Sequence, residues 1–328
     1  MRFLFVHQNF PGQYLHIVRA LARSGRNELV FITEPNNNTI QGVRKVPYRR
    51  PLPGPDGTHD AARELDHAVR RAEAVAATAL NLRNLGFQPD IVIGHHGWGE
   101  LLNIPDVWPG VPLLGYLEFF YRLADADVGF DPEFPMGVAQ HARVRAKNST
   151  NLLALMLDGV GQTPTEWQLS TYPGWAKSHI RLLREGADLD RCKPDPKVRR
   201  QTLTIAGKRI GPGDKLVTYV ARDLEPYRGF HVIMRALPRL LAARKDVRVV
   251  LVGRDGVSYG NHSSRGTWRE TMLSEVRDQI DPERVLFPGR LDYELYLRLL
   301  SGQMRMSICL IRSSHPGRSA SHWRRAVW

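Results

Sequence analysis

Residues 219–237 read YVARDLEPYRGFHVIMRAL. A β-branched and aromatic run ends at Ala221, arginines follow at 222 and 228, and Gly229 leads into apolar residues recurring at helical spacing. A strand end, paired cations and a helix start so close together suit a diphosphate. Two guanidinium forks match phosphate oxygens and would neutralise the charge on a leaving nucleotide diphosphate. A surface ion pair between Glu225 and one of the arginines is the other reading open at this point.

The same grammar extends on both sides. Downstream, strands are predicted at 215–220, 247–252 and 285–289, with helices at 230–244 (kinked at Pro238) and 268–280. Upstream, strands are predicted at the first residues, 28–33, 89–94 and 111–117, with a short one inside 158–164. Helices are predicted at 13–24, 60–85, 143–157 and from 166 to 172. Short apolar strands alternating with helices predict parallel sheets covered on both faces. Between the two series, 192–213 is polar and basic with Pro194, Pro196 and a Gly-Pro-Gly turn, and reads as a connector. The expected fold class is α/β, with two doubly wound Rossmann-like domains in series, the second incomplete.

Three stretches before the connector carry chemistry. HQNFPGQY, residues 7–14, places Gly12 at a strand-to-helix turn, where backbone N–H groups and a helix N-terminus favour an anion. A tight turn that merely packs is the alternative. DIVIGHHGWGE, residues 90–100, puts His95 and His96 just outside a strand C-terminus, where open α/β sheets bind ligands. A histidine there could bond a sugar hydroxyl or carry a proton, or the pair could be structural. YLEFFYR, residues 116–122, offers Tyr116, Glu118 and Tyr121 as rings to stack on a sugar and a carboxylate to accept its hydroxyls. It could equally be core packing, with Glu118 pairing Arg122. No cysteine or carboxylate lies at metal-ligand spacing from the histidines, so no metal is expected.

Taken together, these segments resemble glycosyltransferase family 4 with the GT-B fold. Gly12 matches the family's first glycine loop, His95 or neighbouring His96 its mid-domain histidine, and Arg222 with Arg228-Gly229 its donor motif. Arg228 stands where the family usually has Lys. The resemblance runs from Met1 to about Leu300. It implies transfer of a hexosyl group from a nucleoside diphosphate sugar to a hydroxyl acceptor, with retention and without a metal. It also places Leu286 and Phe287 beside the nucleotide base, and the acceptor, a glycan or lipid-linked sugar, near His95, Tyr116, Glu118 and Tyr121. Expected domains are 1–192 for the acceptor, 193–300 for the donor, and a basic tail, 301–328. A non-catalytic remnant that binds a glycan or partner is the alternative function. No G-x-G-x-x-G follows any predicted strand, which disfavours a dinucleotide-dependent oxidoreductase.

The 328 residues are 42% hydrophobic and 24% charged, ordinary for a soluble globular protein. No apolar run reaches membrane-span length, and two distant cysteines fit a reducing cytosol. The net charge of +13 suits nucleotide diphosphates or an acidic membrane surface, so a peripheral position on the inner membrane face is open, as is a merely solvated basic face. Nucleic acid is not expected, for want of a recognition motif.

From 301 onward Arg305, Arg312, Arg318, Arg324 and Arg325 stand with no lysine or carboxylate. The family's second donor segment, a Glu–x–Met/Leu–Ala–x–Gly pattern, is missing. A frameshift at Gln303 would account for both. With Gln303 as CAG and the fixed codons of Met304, Met306 and Trp323 kept, permitted codons read from the third base give DAHVYLSYPFVPSWSL and then SEPLATGC. A divergent C-terminus is the alternative.

Overall fold

The computed structural model describes residues 1–54, 56–123, 129–302 and 305–306. Apart from 301–302 and 305–306, the tail expected at 301–328 therefore lies outside the described residues. The chain forms two compact units, Met1–Gly186 and Ala187–Trp328.

The first unit begins β1 (Arg2–Val6), α1 (Leu15–Arg23), β2 (Glu28–Thr33), β3 (Arg44–Pro47), α2 (Arg63–Asn84) and β4 (Ile91–His95). It continues α3 (Ile104–Val107), β5 (Leu113–Tyr116), α4 (His141–Ala146), α5 (Ser149–Leu155), β6 (Val160–Thr163), α6 (Glu166–Thr171) and β7 (Ile180–Leu182). Seven strands pair in the order β3-β2-β1-β4-β5-β6-β7, all parallel. Because side chains alternate along a strand, Leu4 and Val6 pack with Val75, Ala79 and Leu82 of α2 on one face. Phe5 packs with Val18 of α1 and with Phe31 on the other. Each fully buried aliphatic or aromatic side chain contributes about 1.5–3 kcal/mol.

The single helix expected at 143–157 is two. Asn148, buried at the break, donates to the Tyr121 carbonyl (2.8 Å) and accepts the Tyr121 N–H (2.8 Å), so its side chain ties the helix pair to the strand-end loop.

The second unit contains β8 (Leu203–Ile205), β9 (Lys208–Ile210), β10 (Lys215–Asp223), α7 (Phe230–Ala243), β11 (Val247–Arg254), α8 (Trp268–Val276), β12 (Val285–Gly289), α9 (Tyr293–Gly302) and β13 (Arg305–Met306). Its parallel sheet runs β12-β11-β10-β13, so a short fourth strand joins the three predicted. The stretch read as a connector holds an antiparallel hairpin, β8-β9, turned by Ala206 and Gly207 at φ +50° and +75°. Positive φ at both central residues suits the right-handed twist of a two-residue hairpin. Leu203, Ile205 and Ile210 are buried under it against Val250, Leu286 and Leu299, while α7 and α8 cover the opposite sheet face. No described helix is long and apolar enough to cross a membrane.

Candidate functional site

In the first unit the strand order reverses between β1 and β4, and ligands of open α/β sheets bind outside the strand C-termini at such a switch point. His7 follows β1 and His95 ends β4, and their rings meet edge to face at 5.5 Å. Tyr116, the register partner of His95 on β5, stacks on it at 5.1 Å. Trp98 stacks on it at 6.2 Å and is 40% exposed. Glu118 Oε2 lies 3.9 Å from His95 Nε2, too far for a hydrogen bond. The Tyr116 hydroxyl donates to Glu185 (2.9 Å).

A backbone donor sets the His95 tautomer. The Gly97 N–H donates to His95 Nδ1 (2.9 Å), and the Asn9 N–H to His7 Nδ1 (2.8 Å). With Nδ1 accepting, a neutral His95 ring carries its proton on Nε2, whereas His7 Nδ1 also lies 2.9 Å from the Asn9 carbonyl and suits either tautomer. Burial depresses both groups, His7 to about 4 and His95 well below its usual value, with His7 and His96 adding to the effect on His95. At neutral pH both rings are neutral, and His95 is a donor at Nε2.

Glycines permit this packing. Gly12 has φ +55°, and a Cβ there would come 2.8 Å from His7 Nδ1, so the expected anion-loop glycine is also the surface on which His7 rests. Gly99 has φ +93°, and a Cβ would lie 2.4 Å from the Ala68 carbonyl oxygen of α2. That close approach brings Glu100 into a buried cluster with Arg71, Glu34 and Tyr48. Arg71 bonds Glu34 (3.1 Å) and lies 3.6 Å from Glu100, and Tyr48 donates towards both carboxylates. Arg71 also donates to the Trp98 carbonyl (3.4 Å), tying the histidine loop to α2. Burial outweighs the shared Arg71 and raises Glu100 to about 7.

The structure separates the two histidines read together. His96 lines a small cavity with Leu113, Leu117, Leu155, Val160 and His179, away from the stacked rings around His95. Its Nδ1 is buried without a partner among the described residues, burial lowers it to about 4, and a Cβ on Gly115 would overlap its ring. Tyr121 is tied to Asn148 through its backbone and carries Lys147 over its ring at 4.4 Å. Arg122 donates to the Thr171 (2.8 Å) and Ser170 (3.0 Å) carbonyls. His7, Trp98 and Glu185 were not singled out from sequence. The position of His7 directly after the first strand was the available signal.

In the second unit β10 lies at the strand-order reversal beside β13. Arg222 is exposed near the end of β10 and has no ion pair or hydrogen bond among the described residues. Gly229, at φ +76°, starts α7, and the Arg228 carbonyl accepts from the Tyr219 hydroxyl (3.1 Å). Glu225 is fully buried, which removes the surface ion pair considered for it. Of the residues expected near a base, Leu286 is turned into the core. Phe287 is partly buried, with the Arg269 guanidinium 5.8 Å from its ring.

The family model of the glycosyl transferase family 4 group matches residues 25–192. The chain belongs to that family. This family 4 chain also shares its fold with sucrose-phosphate synthase from Thermosynechococcus elongatus, at TM-score 0.65 and 15% identity over 96% of this chain and 77% of that one. The catalytic domain of starch synthase IV from Arabidopsis thaliana, bound to ADP and acarbose, aligns at TM-score 0.57 and 14% identity over 94% and 77%. UDP-GlcNAc 2-epimerase from Neisseria meningitidis aligns at TM-score 0.52 and 11% identity over 93% and 77%. At such identities the likeness is one of fold, two Rossmann-like units, and both synthases and an epimerase have it. No curated protein matches the family 4 chain in sequence.

Proposed function

We propose that the chain is a retaining glycosyltransferase that moves a hexosyl group from a nucleoside diphosphate sugar to a hydroxyl acceptor in glycan, polysaccharide or glycolipid synthesis. The observation that carries this reading is Arg222. It is an exposed cation with no partner among the described residues, on the same strand-to-helix passage as Arg228 and Gly229, at a switch point. An arginine left free there is available to phosphate oxygens. Arg222, Arg228 and the start of α7 would take the charge of the leaving diphosphate, and Phe287 would flank the base.

The acceptor belongs on the first unit. A sugar would stack on Trp98 beside His95 and Tyr116, and one of its hydroxyls would bridge the 3.9 Å between His95 Nε2 and Glu118. In that bridge the hydroxyl accepts from Nε2–H and donates to the carboxylate. A lipid-linked acceptor would bring the basic surface to an acidic cytoplasmic membrane face. Retention rests on the family resemblance.

Titration of nucleoside diphosphates tests the reading. Arg222→Ala and Arg228→Ala should each weaken binding by roughly 1.5–3 kcal/mol. Unchanged affinity in both variants would remove the donor site.

A further inference from the structure

Glu225 is a fully buried carboxylate that the proposed chemistry does not use. Its Oε2 accepts three successive backbone N–H groups, from Ser258 (3.2 Å), Tyr259 (3.3 Å) and Gly260 (2.9 Å). Asp223, the last residue of β10, holds the same loop at a second point. It accepts the Ser258 hydroxyl and both forks of Arg254 (3.1 and 3.2 Å). The loop passes so close that a Cβ on Gly256 would come 2.9 Å from Asp223 Oδ1. Two acids on the β10–α7 passage thus fasten the loop between β11 and α8.

What this fastening presents is Tyr259. Its ring, 45% exposed, stacks on Tyr227 at 5.5 Å, and the Arg228 guanidinium lies 4.8 Å from its centroid. The Tyr227 ring lies 5.8 Å from the same guanidinium. No carboxylate pairs with Arg228 among the described residues, and its buried Nε has no hydrogen-bond partner there. Ring faces, not an acid, hold this cation. A planar guanidinium keeps its in-plane donors available while its face rests on a ring, whereas an ammonium has no plane to align.

We propose that Glu225 and Tyr259 are positioning residues for Arg228. Glu225 fixes the loop, the loop fixes the Tyr259 ring, and the ring sets the plane in which Arg228 meets a nucleoside diphosphate. The arginine that replaces the family's usual lysine is therefore matched to Tyr259. This inference rests on the diphosphate reading of Arg228 and adds the reason for its side-chain type.

The test is calorimetric titration of the full chain with UDP, GDP and ADP, continued with the tightest binder. Arg228→Ala should lose about tenfold or more. Tyr259→Leu and Glu225→Gln should each lose about three- to tenfold, while Tyr259→Phe, which keeps the ring, stays near wild type. Arg228→Lys should cost affinity in the wild-type background and little in Tyr259→Leu. Additive effects of those two changes, or wild-type affinity in both Tyr259→Leu and Glu225→Gln beside a weakened Arg228→Ala, would overturn the positioning role alone. Wild-type affinity in Arg228→Ala, or no binding by the wild type, would instead remove the diphosphate reading beneath it.

Discussion

His7 and His95 meet edge to face at 5.5 Å across the join of β1 and β4, each with Nδ1 against the backbone of the residue two places on. The pairing gives the switch point of the first unit two buried, neutral rings.

Nitrogen-detected NMR of the histidine rings should find His95 as the Nε2–H tautomer. Neither His7 nor His95 should titrate between about pH 5 and 8, because burial holds both below their ordinary value. An Nδ1–H tautomer of His95 would contradict the hydrogen-bond assignment, and a midpoint near 6.5 for either ring would contradict its burial.

Glu100 makes an opposite pH prediction. Its pKa rises from 4.5 to about 7 on folding, so its contribution is complete below about pH 4.5 and is lost as pH rises through 7. His7 and His96 fall from 6.5 to about 4, so their contribution is complete above 6.5 and is lost as pH falls towards 4. Glu100→Gln removes only the first effect. Its stability relative to wild type should climb between pH 4.5 and 7, by on the order of 1–3 kcal/mol. Thermal melts across that range check this, and a constant difference would contradict it.

The central strands were legible because strands buried on both faces read as apolar runs, as in FLFV at 3–6 and VVLV at 249–252. The outer strands were not. RKVP at 44–47 is polar, and IRL at 180–182 is too short to show a period. TLTIAGKRI, 202–210, was passed over for its basic residues and glycine, although the alternation of Leu203 with Ile205 marked a strand. In the candidate site, strand ends located His95, Tyr116 and Arg222. The burial of Glu225, which removes the alternative of a surface ion pair, depends on a loop arriving from the neighbouring strand, which local sequence does not encode.

The nucleotide sequence around Gln303 tests the reading of the tail. The alternative frame should continue through further strand and helix patterns and supply a Glu–x–Leu–Ala–x–Gly segment. An early stop or unrelated residues in that frame would end the idea.

Hydrogen–deuterium exchange of the full chain with and without a saturating nucleoside diphosphate addresses the donor seat most directly. Added protection should concentrate at residues 219–231, where β10 passes through Arg222 and Arg228 into α7, and at the Tyr259 loop, 256–260. Residues 95–98 of the first unit should exchange as before. Protection at those first-unit residues with none at 219–231 would contradict a donor site on the second unit.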